Sequence, residues 1–385
     1  MRIVQITTDS REHFKEYSRP YPYFGTAPQG LFSGFADFAE HEIHIISCSR
    51  FAMQRPPMLA PNIYFHQPIV GKWARGKSFF VGSVHATRNL LKEIQPDIVH
   101  GQGTERDCAM AAVLSGYPNI LTLHGNMRVI ARRREHRHNP SYWQAALLET
   151  FCLKRTNGVV AISRYTENLV KGLASRSWLL PNCVDSSFFD ISLIPPPVPR
   201  LLFVGSIIEG KNPLGLLKAC TPFLQTNRCT LALAGQFNPA GKYGKAFQSE
   251  VKSLPNIEYL GFLGRDKLAA EFAKSSALVL PTFEDNCPMV VLEAMAAGLP
   301  VAASCVGGVP DLVEPEVTGL LFDPENMQNM RDCIEFLINN PEFREMAGRS
   351  GKKRALERFH PSQIAARHLE IYQEILKKFT PHALP

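Results

Sequence analysis

Apolar residues in the first half of the chain gather in short continuous runs: Arg2–Thr7, Glu42–Ser47, Asn62–His66, Asp97–His100, Asn119–Leu123, Gly158–Ile162 and Trp178–Leu180. Most are uniformly apolar and do not alternate with polar residues, which is how strands covered on both faces of a parallel sheet read. Between them, Ser83–Glu93 and Tyr142–Lys154 place apolar residues three or four apart, as crossover helices do. After residue 200 the rhythm restarts, with expected strands at Leu201–Val204, Thr230–Ala234, Ile257–Leu260, Ala277–Leu280, Leu299–Ala303 and Gly319–Phe322. The last segment, Pro361–Phe379, carries Ile364, His368, Ile371, Tyr372, Ile375 and Phe379 as one helical stripe.

The two series meet at Ile194–Arg200, Ile-Pro-Pro-Pro-Val-Pro-Arg. So many prolines cannot continue a helix or a central strand and make a stiff extended connector. The expected organisation is therefore a domain over residues 1–193, a linker over 194–200, a second domain over 201–360, and a C-terminal helix within 361–385 that packs back on the first domain. Two parallel sheets in tandem predict an α/β protein of two Rossmann-like domains facing each other across a cleft. Ligands of such sheets sit beyond the carboxyl ends of the strands.

Composition narrows the class. At 385 residues, with 45% hydrophobic and 20% charged residues, the chain can bury a large core and is not wholly disordered. No apolar run is long enough to span a membrane, and the opening Met-Arg-Ile-Val-Gln-Ile-Thr-Thr-Asp-Ser has no signal-like apolar core, so the expected location is cytoplasmic. The nine cysteines are scattered singly with no C-x-x-C pair, which argues against a disulfide framework or a structural zinc site. A net charge of +7 favours anionic ligands or an anionic surface without requiring nucleic acid.

The most informative text is ALVLPTFEDNCPMVVLEAMAAGLPVAASCVGGVP, residues 277–310. It reads as a buried strand, a polar turn at Thr282–Asn286, and a helix from about Pro288 to Ala297, with Asp285 or Asn286 as its cap and Gly298 and Pro300 ending it. A helix tip so placed offers unpaired amides and a positive dipole end to a phosphate or polar sugar. Asp285 stands at its mouth, and Glu293, eight residues on, falls two turns along on the same face. Both can accept hydrogen bonds from hydroxyls. Separately, Arg128 to His138 holds five arginines and two histidines, and Arg128, Arg132, Arg133 and Arg134 are candidates for a cationic rim that meets an anionic acceptor or membrane.

These residues carry a family resemblance. Pro281-Thr282-Phe283-Glu284-Asp285 followed by Leu292-Glu293-Ala294-Met295-Ala296 resembles the paired acidic motif of the retaining GT-B glycosyltransferases of family 4, the group 1 family, with Glu284 out of register by one. In the same order along the chain, Thr122–Gly125, Val160–Ser163, Leu180–Asp185, Leu202–Gly205 with Lys211, Gly307–Leu312 and Thr318–Leu321 resemble further family segments. The sequence departs from the family in Asp285, which stands for Glu, and in Ser206, which stands where an Arg usually follows the glycine. The first glycine-rich loop, with Gly25, Gly30 and Gly34, is also irregular.

The resemblance implies a donor cleft between the two domains and a retaining transfer of a hexose from a nucleotide-sugar. UDP is favoured over GDP, and the acceptor is a glycan or lipid-linked molecule of polysaccharide or lipopolysaccharide assembly. Glu293 would accept the ribose hydroxyls and Asp285 the hexose hydroxyls. Gly205, Ser206 and the backbone at Cys287, Pro288 and Met289 would meet sugar and phosphates, and Phe262 would lie beside the base. Lys211 would neutralise the leaving diphosphate, and His124 would reach the donor sugar. With no Asp-x-Asp suited to a metal–diphosphate site, no metal or other cofactor is expected. The implied location is cytoplasmic with peripheral contact at the inner membrane face. Two alternatives stay open: a non-catalytic nucleotide-sugar-binding component of a polysaccharide assembly complex, and a sugar-nucleotide epimerase.

Overall fold

The computed structural model describes residues 1–71, 78–133, 137–194 and 196–379. They form two compact units, one from Met1–Cys183 with the chain from Pro361 onward, the other from Val184–His360.

The first unit is built on an eight-stranded sheet of β1 (Arg2–Ile6), β2 (Glu42–Ile46), β3 (Met58–Ala60), β4 (Ile63–His66), β5 (Ile98–Gln102), β6 (Asn119–Leu123), β7 (Val159–Ala161) and β8 (Ser177–Leu179), in spatial order β3-β4-β2-β1-β5-β6-β7-β8. All pairings are parallel except β3 with β4. The short β3 was not expected: its three residues give no periodicity to read. The second unit holds six parallel strands, β9 (Arg200–Val204), β10 (Thr230–Ala234), β11 (Ile257–Gly261), β12 (Ala277–Leu280), β13 (Val301–Ser304) and β14 (Gly319–Phe322), in order β11-β10-β9-β12-β13-β14. The central strands β1, β5, β6, β9, β10, β12 and β13 are almost wholly buried, as their largely apolar text requires. Among the polar residues that β1, β5 and β6 bury, Gln5, His100, Gln102 and Thr122 are hydrogen-bonded to one another.

In both sheets the strand order reverses once, between β1 and β5 in the first and between β9 and β12 in the second. At such a reversal the outgoing chains of two neighbouring strands leave to opposite sides and open a crevice at the carboxyl edge.

The units part at Cys183/Val184 and His360/Pro361, not at the proline-rich 194–200 connector. The backbone gives the reason. Val184 N–H donates to Phe359 O (3.0 Å) and Ile194 N–H to Ala273 O (2.6 Å), so the segment from 184 to 194 is fastened to the second unit. Proline content identifies a stiff stretch but not the body on which it lies. Pro195 lies outside the described residues.

The helix Pro361–Leu376 belongs to the first unit. It lies against the helix Thr26–Phe35, and Trp178 Nε1 donates to its Glu374 Oε2 (2.9 Å). Here the expected glycine-rich loop is corrected. Gly25 is the N-cap of a ten-residue helix, and Gly30 and Gly34 lie inside it. Glycine is a poor helix former, so the text reads as a loop; contact explains its presence. A Cβ at Gly34 would stand 2.2 Å from the carbonyl oxygen of Pro361, and one at Gly30 3.0 Å from the Cys183 sulfur. Gly34→Ala is therefore expected to lower stability by about 1–3 kcal/mol through overpacking. Alanine's intrinsic advantage in a helix, about 1 kcal/mol, works the other way. A thermal melt that rose on this substitution would contradict the packing account.

Candidate functional site

Two loops flank the reversal in the second sheet, and both carry residues singled out from the sequence. After β9 the chain runs through Gly205 and the exposed Ser206 into a short 3-10 turn, Glu209–Lys211. After β12 it runs through Pro281–Cys287 into the helix Met289–Ala297. Phe283 N–H and Thr282 Oγ1 both donate to Gly210 O, at 2.9 and 3.1 Å, which clips the two loops together. A third segment holds them from the far side: Gly308 N–H donates to Asp285 O (2.9 Å). Gly307 adopts φ +57°, and a Cβ there would stand 2.0 Å from the same oxygen, so the backbones meet only because this residue is glycine.

Within this frame Lys211 Nζ donates to Asp285 Oδ2, an ion pair with both side chains largely buried. The two residues expected to act on phosphate and sugar are thus brought together, and on each other. Two local expectations are corrected. Asp285 does not cap the helix; Pro288 is the N-cap, and no side chain caps the first turn, because the Asp285 carboxylate is turned to Lys211. Nor does Asp285 share a helix face with Glu293, since the helix begins only at Met289. The end of the helix is as expected, with Gly298 in the left-handed region at φ +81°. The first amides of an uncapped helix have no intrahelical acceptor, so the tip at Met289 is left with free donors.

Glu293 is 6% exposed, and among the described residues its carboxyl has no hydrogen-bond partner. Burial pushes it up to about 7; Arg265 pulls down and Asp185 pushes up by smaller amounts. Those two neighbours are themselves an ion pair, Arg265 donating to Asp185 Oδ2. Sequence reading missed this pair, although Asp185 closes the Leu180–Asp185 segment already noted. Phe262, just past the end of β11, is 56% exposed. Cys287 and Pro288 are buried and Met289 half-buried.

In the first unit His124 follows β6. Its Nε2–H donates to Gln102 Oε1 (3.0 Å), and burial lowers its pKa to about 4, so the ring is neutral near pH 7. The chain of contacts continues inward. Gln102 Nε2 donates to Gln5 Oε1 (2.9 Å), Gln5 Nε2 to the Tyr372 hydroxyl (2.9 Å), and that hydroxyl to His100 Nδ1 (2.6 Å). His100 Nε2 then meets Thr122 Oγ1 at 2.7 Å.

The cationic rim is corrected in part. Arg128 donates from Nε to Glu149 Oε1 (3.1 Å) and from Nη2 to Leu169 O (2.6 Å), and Glu149 is fully buried. A guanidinium so engaged is an internal tie, not a surface. Arg132 is exposed, Arg133 is half-buried and engaged, and Arg134 lies outside the described residues. Among the described residues no three His, Cys, Asp or Glu side chains gather as a metal ion would need, and no helix is long and apolar enough to cross a membrane.

Comparison with known proteins matches this architecture. The family model described as glycosyl transferases group 1 matches residues 185–354, and that of glycosyltransferase family 4 matches residues 31–188. An uncharacterised glycosyltransferase of Methanocaldococcus jannaschii is 25% identical over 339 residues, covering 86% of this chain and 90% of its own. Among solved structures, sucrose-phosphate synthase from Thermosynechococcus elongatus superposes with a TM-score of 0.77 at 18% identity, covering 98% of this chain and all of that one. The Anabaena HepE protein in complex with UDP-glucose gives 0.69 at 16% identity over 97% of this chain and 100% of its own. The chain is a GT-B protein and belongs to the group 1, family 4 glycosyltransferases.

Two predictions follow from the geometry. Arg128→Ala leaves Glu149 buried without its cation, and because Thr104 and the Met127 amide still donate to it the expected loss is roughly 3 kcal/mol, near the low end for a broken buried pair. Urea unfolding measures it, and an unchanged midpoint would return Arg128 to the surface. For Glu293 the folded value of about 7 lies above the ordinary 4.5. Its protonation therefore stabilises the fold below pH 4.5, and that contribution is lost as pH rises through 7. Relative to Glu293→Gln, the wild type should lose about 3 kcal/mol between pH 4.5 and 8.5. A pH-independent difference between the two proteins would refute the buried, unpaired carboxyl.

Proposed function

We propose that this glycosyltransferase is a retaining, metal-independent hexosyltransferase using a nucleotide-sugar, UDP-linked rather than GDP-linked. Its acceptor is a glycan or lipid-linked molecule of polysaccharide or lipopolysaccharide assembly. The observation that carries the reading is the cluster at the reversal of the second sheet, where Lys211 is held by Asp285 in loops clipped beside an uncapped helix tip. Buried Glu293 on the same helix supports it, and so does the Anabaena neighbour solved with UDP-glucose.

Breaking the bond between the anomeric carbon and the diphosphate oxygen builds negative charge on the departing group and positive charge on the sugar. Lys211 and the free amides at Met289 supply fixed positive charge where the negative charge grows. In acyl transfer one such donor is worth about 2.7–4 kcal/mol. The ammonium has three protons, so it can hold Asp285 with one and offer the others to a phosphate. Asp285, with one oxygen given to Lys211, keeps acceptor capacity for hexose hydroxyls. In a retaining displacement of this kind the acceptor oxygen approaches from the leaving-group side and its proton passes to the diphosphate, so no side-chain nucleophile is needed. The role that the resemblance gives His124 suits a neutral imidazole, which burial provides.

The experiment is transfer from UDP-hexoses to a panel of acceptors, with the anomeric configuration of the product read by NMR. Lys211→Ala should cut turnover about 10²–10³-fold, the size expected for one lost donor, at a temperature where its melting curve, lowered by the loss of Asp285's ion-pair partner, still shows the protein folded. EDTA should leave the wild-type rate intact. An inverted product, a rate abolished by EDTA and restored by a divalent ion, or a near-normal Lys211→Ala enzyme would each overturn its part of the reading.

A further inference from the structure

The reversal in the first sheet has a crevice of its own. It measures about 270 Å³ and is lined by Thr8, Ser10 and His13 after β1, by Gln102 at the end of β5, and by Glu105, Arg106 and Cys108 after it. These are the two strands between which the order reverses, where an open α/β sheet places its ligands.

Charge in the crevice is uneven. Glu105 as a residue is exposed, but its carboxylate is the enclosed end. It lies where side chains at Gly103 and Gly125 would stand, 2.3 and 2.6 Å from Cβ positions there, and it accepts from the amides of Glu105, Gly125 and Thr104. That carboxylate is already spent on backbone. Arg106 beside it is exposed, and among the described residues its guanidinium has neither an ion-pair partner nor a hydrogen bond. The Ser10 hydroxyl has no side-chain partner among them either, Thr8 Oγ1 meets only the Cys108 thiol at 3.8 Å, and the His13 imidazole has no hydrogen bond. Arg11, close by in sequence, is excluded from this role. It is fully buried and bound to Asp9, Arg19 O and Gln54 O.

We propose that this crevice takes an anionic group, a phosphate monoester or a carboxylate, carried by the acceptor. Arg106 makes the charged contact, and His13, Thr8 and Ser10 supply further hydrogen bonds. A planar guanidinium matches two oxygens of either group at once, and a charge-assisted pair of this kind is stronger than contacts with neutral hydroxyls. The inference rests on the acceptor being bound by the first unit, as the proposed function implies. It places the cationic determinant at Arg106, not in the Arg128–Arg134 segment where the sequence suggested it.

The test is calorimetric binding of glucose 6-phosphate, glucuronate, inorganic phosphate and glucose to the full chain and to Arg106→Gln. Each is repeated in Lys211→Ala, so that phosphate taken up beside Lys211 is distinguished. UDP affinity is measured in parallel as a separate readout of the donor site. At least tenfold tighter binding of glucose 6-phosphate or glucuronate than of glucose is expected, kept in Lys211→Ala and lost in Arg106→Gln, whose melting temperature and UDP affinity stay as in the wild type. The stronger of the two anionic sugars identifies the group, phosphate or carboxylate. Equal binding of glucose and both anionic sugars, or full retention in Arg106→Gln, overturns the proposal. Absence of UDP binding would fall on the donor reading alone and leave the Arg106 comparison intact.

Discussion

Each sheet is forced to open a gap at one place, because two adjacent parallel strands send their outgoing chains to opposite sides. That constraint decides where chemistry can sit. In the second unit the gap lies after β9 and β12, and it collects Lys211, Asp285 and the tip of the Met289–Ala297 helix. In the first it lies after β1 and β5, with Arg106 and His13. Elsewhere on the carboxyl edges the same kinds of residue are engaged internally, as Arg128 is with Glu149. The position of a charged residue relative to the reversal is a better guide to its work than its charge.

Holding those loops in place takes contacts that reach far along the sequence. Gly307 touches the Asp285 backbone, and the Lys211 loop is bound through Gly210 to Thr282 and Phe283, so three connections of the second sheet fix one ion pair. In the first unit the C-terminal helix does a comparable job. Tyr372 reaches from it into the sheet and joins Gln5 and His100, and through Gln102 the chain of hydrogen bonds ends on His124. An imidazole at the sheet edge is therefore oriented by a helix about 250 residues later in the chain. Gly34 lets that helix approach closely enough for the network to close.

What the sequence made legible follows from range. Strands and crossover helices depend on runs of a few residues, so nearly all strands of both sheets were found within one or two residues of their ends. The helix Met289–Ala297 and its left-handed end at Gly298 were readable for the same reason. Lys211, Asp285 and Glu293 could be singled out because motif spacing fixed them, but their relations could not. Whether Asp285 caps a helix or binds Lys211 depends on a loop 74 residues away. The glycines at 30 and 34 misled because local propensity argues against a helix, while a distant neighbour demands their lack of a side chain. The unit boundary misled likewise, since backbone bonds from Val184 and Ile194 to distant residues override the stiffness of the prolines. Arg128 and Arg106 look alike in sequence; only the buried Glu149 separates them.

Three carboxylates show how environment assigns different roles to one chemical group. Glu105 is satisfied by backbone amides, so it shapes its crevice and has little left for a strong new partner. Asp285 is satisfied by a flexible ammonium with protons to spare, so it can hold Lys211 and still receive a hydroxyl. Among the described residues Glu293 has no donor, and Arg265, the cation that acts on it, is already committed to Asp185. A buried carboxyl in that state is stable only while it keeps its proton. In the proposed complex, two ribose hydroxyls would supply the missing donors, and hydrogen bonds to the charged form favour ionisation. Nucleotide binding near neutral pH would then expel a proton from Glu293, and the cost of the buried, unpaired group would become selectivity. A ligand lacking those hydroxyls gives the carboxylate nothing in exchange for its proton, so a donor with an intact ribose is favoured over its deoxy counterpart most strongly at and above pH 7, by an amount that shrinks as the pH falls and the proton becomes harder to displace.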